Sequence, residues 1–160
     1  MRSIPYTTTS PAGSIQQLVP AGRLVLHADL SVPCGRMVAV IGRWHGLIID
    51  CPDPGALAGF YQELLGMQRV YEEGDWVVIG DAPDRPGVAF QRVADFTPPR
   101  WPDPAHPQQL HLDVRVDDIE QAEAQVLALG ATPLPGGGKT FRVYADPVGH
   151  PFCLVWQVTG

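Results

Sequence analysis

Along residues 110–116, His111, Asp113 and Arg115 alternate with Leu110, Leu112, Val114 and Val116. An imidazole, a carboxylate and a guanidinium therefore share one face of a strand while four aliphatic side chains share the other. The apolar face must pack, which sends the polar groups toward water or a ligand. The same parity on residues 44–51 puts Gly46, Ile48 and Asp50 on the inner side, and Gln91 and Cys153 join them from later strands. Two chemistries fit. Asp50, Gln91, His111 and Asp113 carry donors that could converge on a divalent ion (Zn, Ni, Fe or Mn). The same groups also make a polar network in which Arg115 neutralises Asp50 or Asp113, because an unpaired buried carboxylate is costly. Where Arg115 is left free, its planar fork is a bidentate anchor for a carboxylate, carbonyl or hydroxyl. The expected site is then a mostly apolar cavity, roomy near Gly46, with a polar end at His111, Asp113 and Arg115. No catalytic residue is singled out.

Three further residue types could do chemistry. Cys153 reads as a nucleophile or as a small buried thiol filling space. His45 lies one residue from Gly46 and so faces the opposite side, which suits a packing or surface histidine. The stretch GGGK at 136–139 lacks the strand and helix context of a phosphate loop and reads as a hairpin turn.

The elements that must position these groups come in two copies. Residues 44–51 make a strand; Asp53 caps a helix with Pro54 at its first position, and Leu57, Phe60, Tyr61, Leu64 and Leu65 form its stripe before Gly66 stops it. Asp118, 65 residues on, repeats the pattern with Gln121 at the capping-box position, a stripe of Ile119, Ala122, Val126 and Leu129, and Gly130 at the end. Three strands follow each helix: 68–71, 76–79 and 88–93 in the first copy, 131–134, 140–144 and 151–157 in the second. The fold class is α+β, βαβββ twice. Prolines 98, 99, 102, 104 and 107 make residues 96–107 an extended crossover, and Trp101 within it reads as an interface or lid residue. Trp44, Trp76, Phe141 and Tyr144 are expected mainly in the core, with any at a cavity mouth free to stack a flat ligand.

The chain has 160 residues, 45% of them hydrophobic, which suits one compact domain. Residues 1–43 read as a loosely ordered extension with one possible strand at 24–32, and Met37 as an alternative start. The domain is expected at 44–158: module one at 44–95, the crossover at 96–107 and module two at 108–158. A net charge of −6 without a Lys or Arg run excludes a nucleic-acid footprint and an anionic membrane surface. Three cysteines without CxxC spacing fit a reducing cytoplasm. The partners left are a small molecule and a second copy of the chain, as a homodimer.

The segments DPGALAGFYQELLG, LHLDVRVDD and YADPVGHPFCL together resemble the vicinal oxygen chelate superfamily, in its glyoxalase-like branch alongside bleomycin-resistance proteins and extradiol dioxygenases. The resemblance implies that each module curls its mixed sheet into a cup with the helices outside, and that the paired cups enclose a cavity. It also implies metal-ligand positions at Gly46, Gln91, His111 and Cys153. Glycine offers no donor and cysteine stands where a carboxylate is usual, so the inherited metal site reads as degraded and no cofactor is expected. The expected function is binding of a small organic molecule, for sequestration, sensing or metal-independent turnover. The alternatives are a metal-dependent lyase, isomerase or dioxygenase, and a structural dimerisation module.

Overall fold

A computed structural model describes residues 42–157. The strand at 24–32 and the start at Met37 lie outside the described residues. In chain order the elements are β1 (Gly46–Cys51), α1 (Pro54–Leu65), β2 (Gln68–Glu73), β3 (Trp76–Gly80) and β4 (Gly87–Arg92). The second set is β5 (Leu112–Arg115), α2 (Ile119–Ala128), β6 (Thr132–Pro133), β7 (Phe141–Ala145) and β8 (Pro151–Val155). Each set makes a four-stranded sheet, ordered β1-β4-β3-β2 and β5-β8-β7-β6. The first strand of each runs parallel to the last, and the remaining neighbours are antiparallel. This is the mixed βαβββ pair expected from the internal repeat.

Both helices start on an aspartate because its carboxylate meets an amide that has no partner within the helix. Asp53 accepts from the Ala56 N–H at 3.1 Å and Asp118 from the Gln121 N–H at 3.0 Å. α1 ends on Gly66, whose φ of 67° is left-handed and whose N–H reaches the Gln62 carbonyl. α2 closes instead on Leu129 in right-handed geometry, and the left-handed turn falls one residue later at Gly130, φ 99°.

One core serves both modules. Leu57, Phe60 and Tyr61 of α1 pack with Ile49, Cys51, Val77, Ile79 and Phe90 of the first sheet and with Val114, Val126, Tyr144, Phe152 and Leu154 of the second. Phe60 meets Phe152 edge-on at 5.8 Å, and Tyr144 stacks on Phe152 at 5.6 Å. Trp76, Val78 and Ala89 form a second, smaller cluster on the opposite face of the first sheet, under Val70 and Tyr71.

Several expectations need adjusting. Leu110 precedes β5 and is 54% exposed, so the packed face of that strand runs from Leu112 to Val116. Trp44 is 70% and Phe141 37% exposed, leaving Trp76 and Tyr144 as the core aromatics of that group. Trp101 is half-buried and its indole N–H donates to the Pro135 carbonyl at 2.7 Å, tying the crossover to the loop before β7. In that loop Gly136 and Gly137 take φ of 108° and 119°, and the Gly138 N–H reaches the Phe141 carbonyl. Among the described residues no helix is long and apolar enough to cross a membrane.

Candidate functional site

β1 and β5 are the edge strands of their sheets, and the crossover passes over the seam between them. A cavity of about 340 Å³ occupies this seam. Ile48, Ile49 and Asp50 supply one wall, Leu110, His111 and Leu112 another, and the crossover closes it with Phe96 and Pro98, Pro99 and Pro107. Tyr61 of α1 and His150, from the turn before β8, complete it. The lining is mainly aliphatic, aromatic and prolyl, with Asp50, the Tyr61 hydroxyl and the imidazoles of His106, His111 and His150 as its titratable groups.

Of the eight residues expected at the site, Ile48, Asp50 and His111 line this cavity. His111 and Asp113 meet Cys153 in a smaller pocket, about 270 Å³, on the inner face of the second sheet, bordered by Phe141, Val155 and Trp156. Gly46, Gln91 and Arg115 line neither. The strand parity is as the alternation requires: Val114 is in the core with Val126, while His111, Asp113 and Arg115 are exposed. The expected neutralisation of Asp50 or Asp113 by Arg115 is not formed. Among the described residues Asp113 pairs with His111 at 3.4 Å, and no ion pair involves Arg115 or Asp50. Both carboxylates are solvent-exposed, so the burial that would have demanded a guanidinium is missing.

The metal positions that the repeat would supply can be checked by strand register. Asp113 lies opposite Cys153 in β8, and its repeat counterpart Ile48 lies opposite Ala89 in β4. Gln91 lies opposite Asp50, two residues further along. Module one thus offers Gly46 and Ala89 where module two offers His111 and Cys153, and neither alanine nor glycine has a donor. The four inherited positions do not fit a divalent ion. A different donor set does come together in module two alone: the ligand atoms of His111, Asp113 and Cys153 lie within 4.8 Å of one another. Burial first, and Asp113 second, push the Cys153 thiol up to about 11, so the sulfur is a neutral thiol at pH 7.

Two cavity histidines are held by carboxylates through the same ring atom. His150 Nδ1 lies 2.9 Å from Asp146 Oδ2, and His106 Nδ1 lies 2.9 Å from Asp103 Oδ2. Asp103 is partly exposed, and the His106 hydrogen bond holds its carboxyl below the usual range. Asp146 is 3% exposed: its Oδ1 accepts the amides of Val148, Gly149 and His150, and its Oδ2 also accepts the Tyr61 hydroxyl at 3.0 Å. Burial, then the neighbouring Asp146, raise the Tyr61 hydroxyl's pKa. Phe96 lies against the His150 ring at 5.3 Å. Neither histidine stood out in the sequence. The usable signal was the turn DPVGH, in which an aspartate reaches forward to three amides and to an imidazole four residues on.

The glyoxalase-like domain family model matches residues 46–155. No curated protein matches the chain. Among solved structures, a glyoxalase/bleomycin resistance protein/dioxygenase family enzyme from Burkholderia phytofirmans PsJN is 18% identical with a TM-score of 0.55, covering 71% of this chain and 97% of that one. The fosfomycin resistance protein FosX from Mesorhizobium loti is 16% identical, with a TM-score of 0.54 over 75% of this chain and 94% of its own. FosX from Listeria monocytogenes gives 12% and 0.55 over 74% and 94%. At these identities the structural likeness speaks for the fold alone, and the match across the whole double module identifies the chain as a member of the glyoxalase-like domain family of the vicinal oxygen chelate superfamily.

Proposed function

We propose that this domain binds a small, largely apolar organic molecule in the seam between β1, β5 and the crossover, and that it does so without the family's inherited metal set. The observation that supports this most directly is the cavity itself: about 340 Å³ walled by both modules, with apolar sides and a few polar groups. A ligand there contacts His111 and Asp50 but not Arg115, so the anchoring role assigned to Arg115 passes to the cavity imidazoles. We place the protein in the cytoplasm, which suits the buried free thiols Cys51 and Cys153. Native mass spectrometry of the protein as purified tests the binding reading by reporting any bound metabolite. For a molecule so identified, a concentration 100 times its dissociation constant should stabilise the fold by about 2.7 kcal/mol. Leu112→Trp and His111→Ala should weaken that binding while Arg115→Ala leaves it unchanged; equal loss in all three would place the ligand elsewhere.

One observation favours a second reading, in which module two alone holds a soft or borderline metal ion through His111, Asp113 and Cys153. The neutral thiol weighs against tight binding, since the sulfur must lose its proton to coordinate. Less than one equivalent of Zn, Ni, Fe or Mn is expected after purification without added metal. One tightly held equivalent, lost on His111→Ala, would establish the second reading in place of the first.

A further inference from the structure

We propose that His150 is a general base facing the seam cavity, held in its working tautomer by Asp146, and that the cavity takes molecules with an acidic C–H next to an electron-withdrawing group. The inference rests on the binding reading above and gives it a chemistry. Asp146 Oδ1 accepts three amide N–H groups, and Oδ2 accepts the Tyr61 hydroxyl. The carboxylate is therefore committed as an acceptor on both oxygens, so the imidazole nitrogen 2.9 Å from Oδ2 must be the donor, Nδ1–H. In the neutral ring this leaves the lone pair on Nε2, for which no partner is recorded among the described residues. A buried carboxylate that fixes the ring and stabilises the imidazolium formed on proton uptake is the arrangement a histidine base requires.

The supports are rigid. Asp146 is buried, its side chain fully so, while the His150 side chain keeps 22% exposure and lines the cavity. Gly149 has φ 104°, and a Cβ there would stand 2.8 Å from Pro98, so turn and crossover meet without room for a side chain. The His150 ring contacts both the Asp146 carboxylate and the Phe96 ring. A turn needs only the amide contacts of Oδ1; the engagement of Oδ2 with an imidazole on a cavity wall is not explained by chain reversal. In the step itself Nε2 takes the proton from carbon, and the electron pair left behind moves into the acceptor group, giving an enolate from a carbonyl compound. The proton on Nε2 then passes back to the carbanion or to water, which restores the neutral His150 ring; His106, on the same cavity, is oriented through its own Nδ1 by Asp103.

The test uses 5-nitrobenzisoxazole, a flat apolar probe. Loss of its C3 proton to a base forms a C≡N bond as the N–O bond breaks, releasing a coloured phenolate without any other reactant. The full chain should accelerate this at least about a hundredfold over equimolar imidazole, the low end of what a positioned base contributes. His150→Ala and His150→Gln should both remove the acceleration, and Asp146→Asn should lower kcat while leaving KM nearly unchanged. Binding is read separately from methyl NMR shifts of Ile48 and Leu112 on adding 5-nitroindazole, which has no such reaction. Shifts with no turnover, or with turnover surviving in both His150 variants, would overturn the base and leave the cavity. Neither shifts nor turnover would overturn both.

Discussion

Cys51 is fully buried and Cys153 7% exposed, and both thiols are pushed from an ordinary 9.0 to about 11, in each case by burial first. For Cys51 the carboxylates of Asp53, Asp146 and Asp50 add to it; for Cys153 it is Asp113. The fold thus binds these protons more tightly than the unfolded chain does. The stabilisation is complete below about pH 9 and is lost as pH rises toward about 11, amounting to about 2–3 kcal/mol per thiol at most. The denaturant midpoint should fall between about pH 9 and 11, and Cys51→Ala, though less stable at pH 8, should show a flatter decline. Equal slopes in the two proteins would contradict the assignment. Cys153 is accordingly a poor nucleophile here, the filler rather than the reactive group, and slow alkylation at pH 8 should accompany the alkaline loss. At this scale the sequence was legible where chemistry is local. An aspartate that caps a helix is read from its neighbours, and so is the face of a strand. His150 was not legible, because its role depends on Asp146 being buried against Tyr61, 85 residues away in the chain.

The two helices carry the same cap and differ in what they bury. α1 buries Pro54, Leu57, Ala58, Phe60 and Tyr61, whereas α2 buries Val126 alone. Burial rather than propensity supplies most of a helix's stability in a protein, so α1 should unfold only with the whole domain and α2 should open on its own. Removing each cap makes the contrast measurable. Asp53→Ala and Asp118→Ala each cost about 1 kcal/mol of helix stability. The first should lower the global melting transition. The second should mainly speed amide exchange in α2, around Gln121 to Gln125, with little change in the melt. Equal shifts in the melt would show that α2 is bound into the core more firmly than its single buried residue indicates. Arg142 works against such opening, since it pairs with Glu120 at 2.6 Å and also with Glu123. Those pairs are partly exposed and add little. The stripe of α2 predicted this helix well and overstated its packing: Ile119 and Ala122 are only half-buried and Leu129 is 37% exposed.

For the whole molecule, the twice-repeated βαβββ order was written in two capped helices 65 residues apart, because capping and periodicity are local signals that survive without coordinates. The seam cavity was not. It arises where two sheet edges meet under the crossover, and no pattern within either strand records that meeting. The same distinction bears on assembly. Exposed sheet edges gave one reason to expect a homodimer, but the outer edges here resist pairing. β6 has two residues, one of them Pro133, and β2 presents Arg69, Glu72 and Glu73. Short edges, proline and charge are the usual means of preventing strand addition. A second copy must therefore use an apolar face. Phe141, 37% exposed beside the His111, Asp113 and Cys153 pocket, offers one on the second sheet, and Leu110, 54% exposed, offers another at the seam. We expect a homodimer by light scattering at micromolar concentration. Phe141→Asp should shift it toward monomer without lowering the melting temperature of the monomer, while Arg69→Ala should leave association unchanged. The reverse pattern, with association lost on altering β2 and kept in Phe141→Asp, would mean that the copies join edge to edge after all. A monomer throughout would leave the inner face of the second sheet open to solvent or ligand.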